Sequence, residues 1–240
     1  MGKAKKSAIG LLPPEWRESI WLAASTSEWQ QSRPQLMPAL AVLWLTGCRP
    51  AELEHGIELL AGRSELVVKI TGAKCVDADG RMRGQPARHI GFNIDAAANP
   101  ALRFLHVLAG QNVVDGIGRL TITHDKDYLY NSVVALGKNA FPKLRTRISP
   151  YCFRHQIASD LKAATSDREI TLEQAAKIMG HLSDYSIGVY GNAIHGRRGR
   201  SRRIQVPFVS ATRPVKHSPK VDRLARFKIA SAKRREDKMS

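Results

Sequence analysis

Two arginines stand in sequence contexts that place a guanidinium at a helix start: Arg49 in Thr46-Gly47-Cys48-Arg49-Pro50-Ala51-Glu52-Leu53, and Arg154 in Tyr151-Cys152-Phe153-Arg154-His155. Two such forks can clamp one phosphate. Tyr151 and Arg154 are three residues apart and share a helix face, while Ile157 and Leu161 point to another side and are expected in the core. Further along, Met179-Gly180-His181 is followed nine residues after the histidine by Tyr190. Cleaving a phosphodiester requires the phosphate charge to be neutralised, a nucleophile, and a proton for the departing oxygen. The sequence has no phosphate-cradling glycine loop with Lys-Ser/Thr, no HExxH and no acidic cluster at metal-ligand spacing. Neither nucleotide-driven nor metal-dependent cleavage is supported, no cofactor is expected, and a covalent, metal-free mechanism stays open.

These residues need elements to hold them. Residues 35–46 are strongly apolar and end at Gly47, which predicts a helix and its stop; Pro50 suits the first position of a second helix over 51–55, closed by Gly56. Residues 64–71 are rich in β-branched side chains, Gly72-Ala73 gives a turn signal, and 88–93 reads as a return strand. From residue 95 the pattern is helical: 95–108, 127–136, then 149–164 with Ser149 as N-cap and Pro150 at the first position. A helix over 171–179 follows, with Thr171 and Gln174 as a capping box, then a short one over 183–190. Residues 165–169 read as a polar loop. In front of all this, Pro13-Pro14 opens a short amphipathic helix over 15–24, and a Ser/Gln/Pro stretch over 25–34 reads as a linker. The expected class is mainly α with a small antiparallel β-sheet (α+β). The expected organisation is an N-terminal segment and linker over 1–34, a catalytic domain over 35–195 and a basic tail over 196–240.

Charge is unevenly spread. The 240 residues carry a formal +17, and from Gly196 to Ser240 there are 15 Lys or Arg against three acidic residues, a net +12 that leaves +5 for residues 1–195. The run Arg197, Arg198, Arg200, Arg202 and Arg203 suits phosphate binding, since counterion release favours Arg–phosphate contacts. Val221, Leu224, Ala225 and Ile229 recur at helical spacing and predict a small helix in the tail. Duplex DNA is the expected partner. Three cysteines, an odd number without zinc spacing, fit a reducing, cytoplasmic setting, and no apolar stretch approaches a membrane span.

Over roughly 35–194 the chain resembles the catalytic domain of the tyrosine recombinases, the integrase family of phages and mobile elements. The resemblance rests on residues 45–53, the strand pair around Lys74, Arg154-His155 with Ala158 and Leu161, and 179–190, in the family's chain order and with its His181-to-Tyr190 interval. It implies that Arg49 and Arg154 bind the non-bridging oxygens of the scissile phosphate, with Glu52 supporting the helix of the first. It implies that Tyr190 attacks phosphorus, that Lys74 (Lys69 as the fallback) protonates the leaving 5′ oxygen, and that His181 hydrogen-bonds a phosphate oxygen. The product implied is a 3′-phosphotyrosyl bond, formed by an oligomer, a tetramer in this family, acting on two duplexes in the bacterial nucleoid.

Two departures bear on activity. Tyr151 stands where the family usually has His; its hydroxyl can donate a hydrogen bond but cannot act as a base at neutral pH as imidazole does. His155 is adjacent in sequence but about 100 degrees around the helix. The family also places a separate helical DNA-clamping domain in front of the catalytic one, and about 34 residues precede the first core helix here. Either the chain is a fragment or the basic tail supplies that affinity. Two alternatives to a recombinase follow: a DNA-binding protein of the same fold without cleavage, and a strand-swivelling type IB topoisomerase-like enzyme.

Overall fold

The segment Leu36–Thr46 carries apolar side chains almost without interruption, and in the structure it is a helix buried on nearly every side. This computed structural model describes residues 9–75, 80, 84–94, 99–189, 193–197 and 208–222. Gly47 ends the helix in the left-handed conformation, at φ 58°, and the chain turns at once into the helix Pro50–His55, with Pro50 at its first position. Arg49 is the N-cap residue of that second helix.

A six-stranded sheet stands beside these helices, in the order β4-β5-β1-β2-β3-β6. Its strands are β1 (Ile57–Ala61), β2 (Glu65–Thr71), β3 (Ala87–Asn93), β4 (Val113–Val114), β5 (Ile117–Ile122) and β6 (Phe208–Ala211). Every pairing is antiparallel. β2 alternates as its sequence requires, with Leu66, Val68 and Ile70 buried and Glu65, Lys69 and Thr71 exposed. The helix Pro100–Gly110, capped by the Asn99 side chain, packs against β1, β2, β5 and the central helix. Helices Lys126–Ala140, Pro150–Ser166 and Leu172–Ile178 complete the core, and the short helix Ala193–Arg197 packs on Pro150–Ser166. The class is α+β, as expected, but among the described residues the sheet has six strands where two were anticipated.

Several stretches differ from their sequence reading. The supposed linker contains the helix Ser27–Ser32, anchored by Trp29, which is 9% exposed and has the Arg33 guanidinium 4.7 Å from its ring centroid. A single tryptophan finding a pocket outweighs the polar composition around it. Within the basic tail, Phe208–Ala211 pairs with β3 and extends the sheet. The N-terminal segment is also part of the core: the Trp16 ring meets Phe153 edge-on at 4.7 Å, and Arg17 pairs with Asp160 at 2.9 Å. The short helix expected over 183–190 is a 3-10 helix, Asp184–Val189.

No helix among the described residues is long and apolar enough to cross a membrane.

Candidate phosphate-binding site

Arg49 is held from both ends by Glu52, three residues on. The Arg49 backbone N–H donates to Glu52 Oε2 at 2.8 Å, and its Nη1 donates to Oε1 at 2.9 Å. The side chain of Arg49 remains 13% exposed, while that of Glu52 is fully buried. A short helix after a glycine turn therefore presents one guanidinium from a rigid base.

Arg154 arrives from the Pro150–Ser166 helix. Its Nη1 donates to the Gly47 carbonyl at 2.8 Å and its Nη2 to the Met179 carbonyl at 2.8 Å, so it ties the first arginine's turn to the chain just before His181. The approach is close: a Cβ on Gly47 would lie 3.2 Å from the Arg154 Cα and 3.0 Å from the Ile157 Cβ. Glycine at 47 is needed both for the positive φ and for this close approach. Arg154 Nη2 also lies 3.3 Å from His181 Nε2.

A third guanidinium, that of Arg88 on β3, completes the cluster. Its Nη1 and Nη2 meet the two oxygens of Glu52 at 3.1 and 2.9 Å, a fork-to-fork pair with both side chains fully buried. Burial alone would raise the Glu52 carboxyl, but the charge and hydrogen bonds of Arg88, with Arg154 and Arg49 adding to them, hold it at about 2. The same burial pushes the His181 imidazole down, and Arg154, Arg49 and Arg88 push it further, to about 2. His181 is thus neutral. Three guanidiniums surround one carboxylate and a neutral imidazole, so these groups together carry an excess of positive charge in a mostly buried setting. That is an environment for an anion. Cys48, beside Glu52, is held by burial and then by that carboxylate at about 12, so it stays a thiol.

The turn bearing His181 is fastened from behind. Gln85, 1% exposed, donates to the carbonyls of His181 and Arg213 and accepts from the Arg213 N–H. The Lys216 N–H bonds the Leu182 carbonyl, and Asp184 accepts from His217 and from the Ser218 N–H, so the chain after β6 lies along the 182–184 segment.

Of the residues expected from sequence, the structure brings Arg49, Glu52, Arg154 and His181 together. Lys74 is exposed, in the loop after β2; a Cβ on Gly84 would lie 2.7 Å from the Lys74 carbonyl and 3.4 Å from that of Gly180, which sets the Lys74 backbone near the His181 turn. Lys69, the fallback, pairs instead with Glu58 across the β1–β2 ladder at 2.8 Å, with both side chains partly in solvent. Tyr151 is half-buried one helical turn before Arg154, and His155 is buried. Tyr190 lies outside the described residues, between Val189 and Ala193, as do Arg198, Arg200, Arg202, Arg203 and the tail from residue 223 onward; Arg197 ends the helix Ala193–Arg197.

Arg88 and Gln85 were not anticipated. Arg88 had a signal: on a strand it shares a face with Ile90 and Phe92, both buried, and an arginine on an apolar face implies a buried partner. Gln85 had none, because its partners are backbone groups distant in sequence.

Comparison with protein-family models, with curated proteins and with solved structures finds no match to this chain.

Proposed function

We propose that this chain is a DNA strand transferase with a tyrosine recombinase-like catalytic domain, cleaving and rejoining duplex DNA through a 3′-phosphotyrosyl intermediate. The observation that carries the reading is the convergence of Arg49, Arg154 and neutral His181 from three separate elements, with Arg154 Nη2 at 3.3 Å from His181 Nε2 and an excess of positive charge around them. The scissile phosphate sits against the two guanidiniums, which take up the charge that develops on its non-bridging oxygens. The Tyr190 phenol gives up its proton to solvent and its oxygen bonds to phosphorus; the bond from phosphorus to the 5′ oxygen breaks, and Lys74 gives that oxygen a proton. Attack by a 5′ hydroxyl on the phosphotyrosyl bond reverses the sequence and rejoins a strand, with no external energy source. Duplex DNA is the partner, bound by an oligomer that brings two duplexes together, and the tail arginines contribute affinity.

Incubation with a labelled nicked duplex, followed by denaturing electrophoresis, tests this. Wild type is expected to give a shifted, protease-sensitive DNA species and Tyr190→Phe none. A wild type that binds DNA but forms no adduct on any of a panel of candidate sites rejects the chemistry. It would favour the second reading, a DNA-binding protein that has lost cleavage, to which Tyr151 at the position of the family's histidine points.

A further inference from the structure

Arg88 touches both halves of the site with one side chain. Its terminal nitrogens grip Glu52, which sits in the helix that Arg49 begins, and its Nε donates at 2.9 Å to the carbonyl of Ile178, the last residue of the helix leading to His181. Gly180 makes room for it: this residue has φ +68°, and a Cβ there would lie 2.8 Å from Arg88 Nη1.

The grip on Glu52 has an electrostatic consequence. Both oxygens of Glu52 are also used by Arg49, one by its backbone N–H and one by its Nη1. With Arg49 as its sole cation, Glu52 would cancel that charge, and a phosphate would compete with a carboxylate for the same fork. Arg88 supplies the cancelling charge from the fully buried side, while Arg49 occupies the partly exposed side.

We infer that Arg88 is a positioning residue of this site, neutralising Glu52 so that the Arg49 charge serves a phosphate anion, and fixing the turn that presents His181. The inference rests on the phosphate-binding reading of the cluster. No substrate contact is assigned to Arg88 itself.

The test uses the full chain, inorganic phosphate as the probe, calorimetric titration at low ionic strength, and circular dichroism to establish folding. Arg88→Lys keeps the charge that balances Glu52 and is expected to bind phosphate within about threefold of wild type. Arg88→Met leaves Glu52 to cancel the Arg49 charge, whereas Arg88→Met combined with Glu52→Gln removes both charges together and spares the core an unpaired ion. Phosphate binding is expected to weaken about tenfold in Arg88→Met and to return to within about threefold of wild type in the double variant, because the charge left for the anion is then restored. A purely packing role predicts no such return, since the double variant lacks the guanidinium as well. The inference is overturned if folded Arg88→Met matches wild type, if the folded double variant binds about tenfold more weakly than wild type, or if wild type fails to bind phosphate. Adduct formation on the nicked duplex is scored separately. The expected phosphate pattern without an adduct leaves Arg88 as assigned and removes the strand-transfer chemistry; an adduct that forms equally fast in Arg88→Met does the opposite.

Discussion

Arg154 Nη2 donates to His181 Nε2 across 3.3 Å, so a guanidinium on one helix sets the tautomer of a histidine 27 residues away. Arginine has no acceptor, and the imidazole proton must therefore reside on Nδ1. A positive charge at this distance also opposes protonation of the ring.

The depressed His181 pKa makes stability depend on pH with a defined sign. The unfolded histidine takes up a proton near 6.5 and the folded one only near 2, so stability is full above pH 6.5 and is lost as the pH falls below it. One such group contributes a slope of about 1.4 kcal/mol per pH unit. Urea midpoints at pH 7, 6 and 5 should fall more steeply for wild type than for His181→Asn. Parallel losses would mean that His181 is not the group responsible.

Removing Glu52 should be among the most damaging single changes in the protein. Glu52→Ala leaves Arg88 buried without its carboxylate, at a cost of about 3–5 kcal/mol. Denaturant unfolding of Glu52→Ala and of a Glu52→Leu, Arg88→Met pair separates the causes: the pair is expected to recover most of the loss. A loss of under about 1 kcal/mol for Glu52→Ala would contradict the fully buried pairing.

Gly196 tests how the chain after Tyr190 is seated. A Cβ at this position would collide with the Ser159 carbonyl, so the helix Ala193–Arg197 lies flat on Pro150–Ser166 only because residue 196 lacks a side chain. Gly196→Ala is expected to cost about 1–3 kcal/mol in thermal or urea unfolding and to slow adduct formation more than it weakens DNA binding. Adduct formation at the wild-type rate would show that this seating does not govern Tyr190.

The tail arginines should act through phosphates rather than bases. Replacing Arg198, Arg200, Arg202 and Arg203 with Ala should weaken binding to unrelated duplexes alike and flatten the dependence of log K on log salt by about 0.9 for each phosphate no longer neutralised. Binding measured from low to moderate salt on two unrelated sequences decides this; an unchanged slope would remove these residues from the interface.

The local sequence was a good guide wherever one residue decides its own backbone. Gly47 ending a helix, Pro50 opening the next, and Thr171 with Gln174 capping a third follow from dihedral and hydrogen-bond preferences that need no distant partner. The same holds for the inward face of β2. β1 and β5 were missed because each is stabilised by its neighbours in the sheet, and the helix Ser27–Ser32 because it depends on where Trp29 is received.

By itself, then, the sequence determined the identity and order of the groups proposed to bind a phosphate, and the α+β class that carries them. What tertiary structure alone decided is that Arg49, Arg154 and His181 meet, and that Arg88 balances Glu52 behind them. The physical reason is that a buried ion pair and a perturbed imidazole are properties of distance and burial, and both are fixed by packing between residues 27 to 132 positions apart rather than by any residue's own preferences.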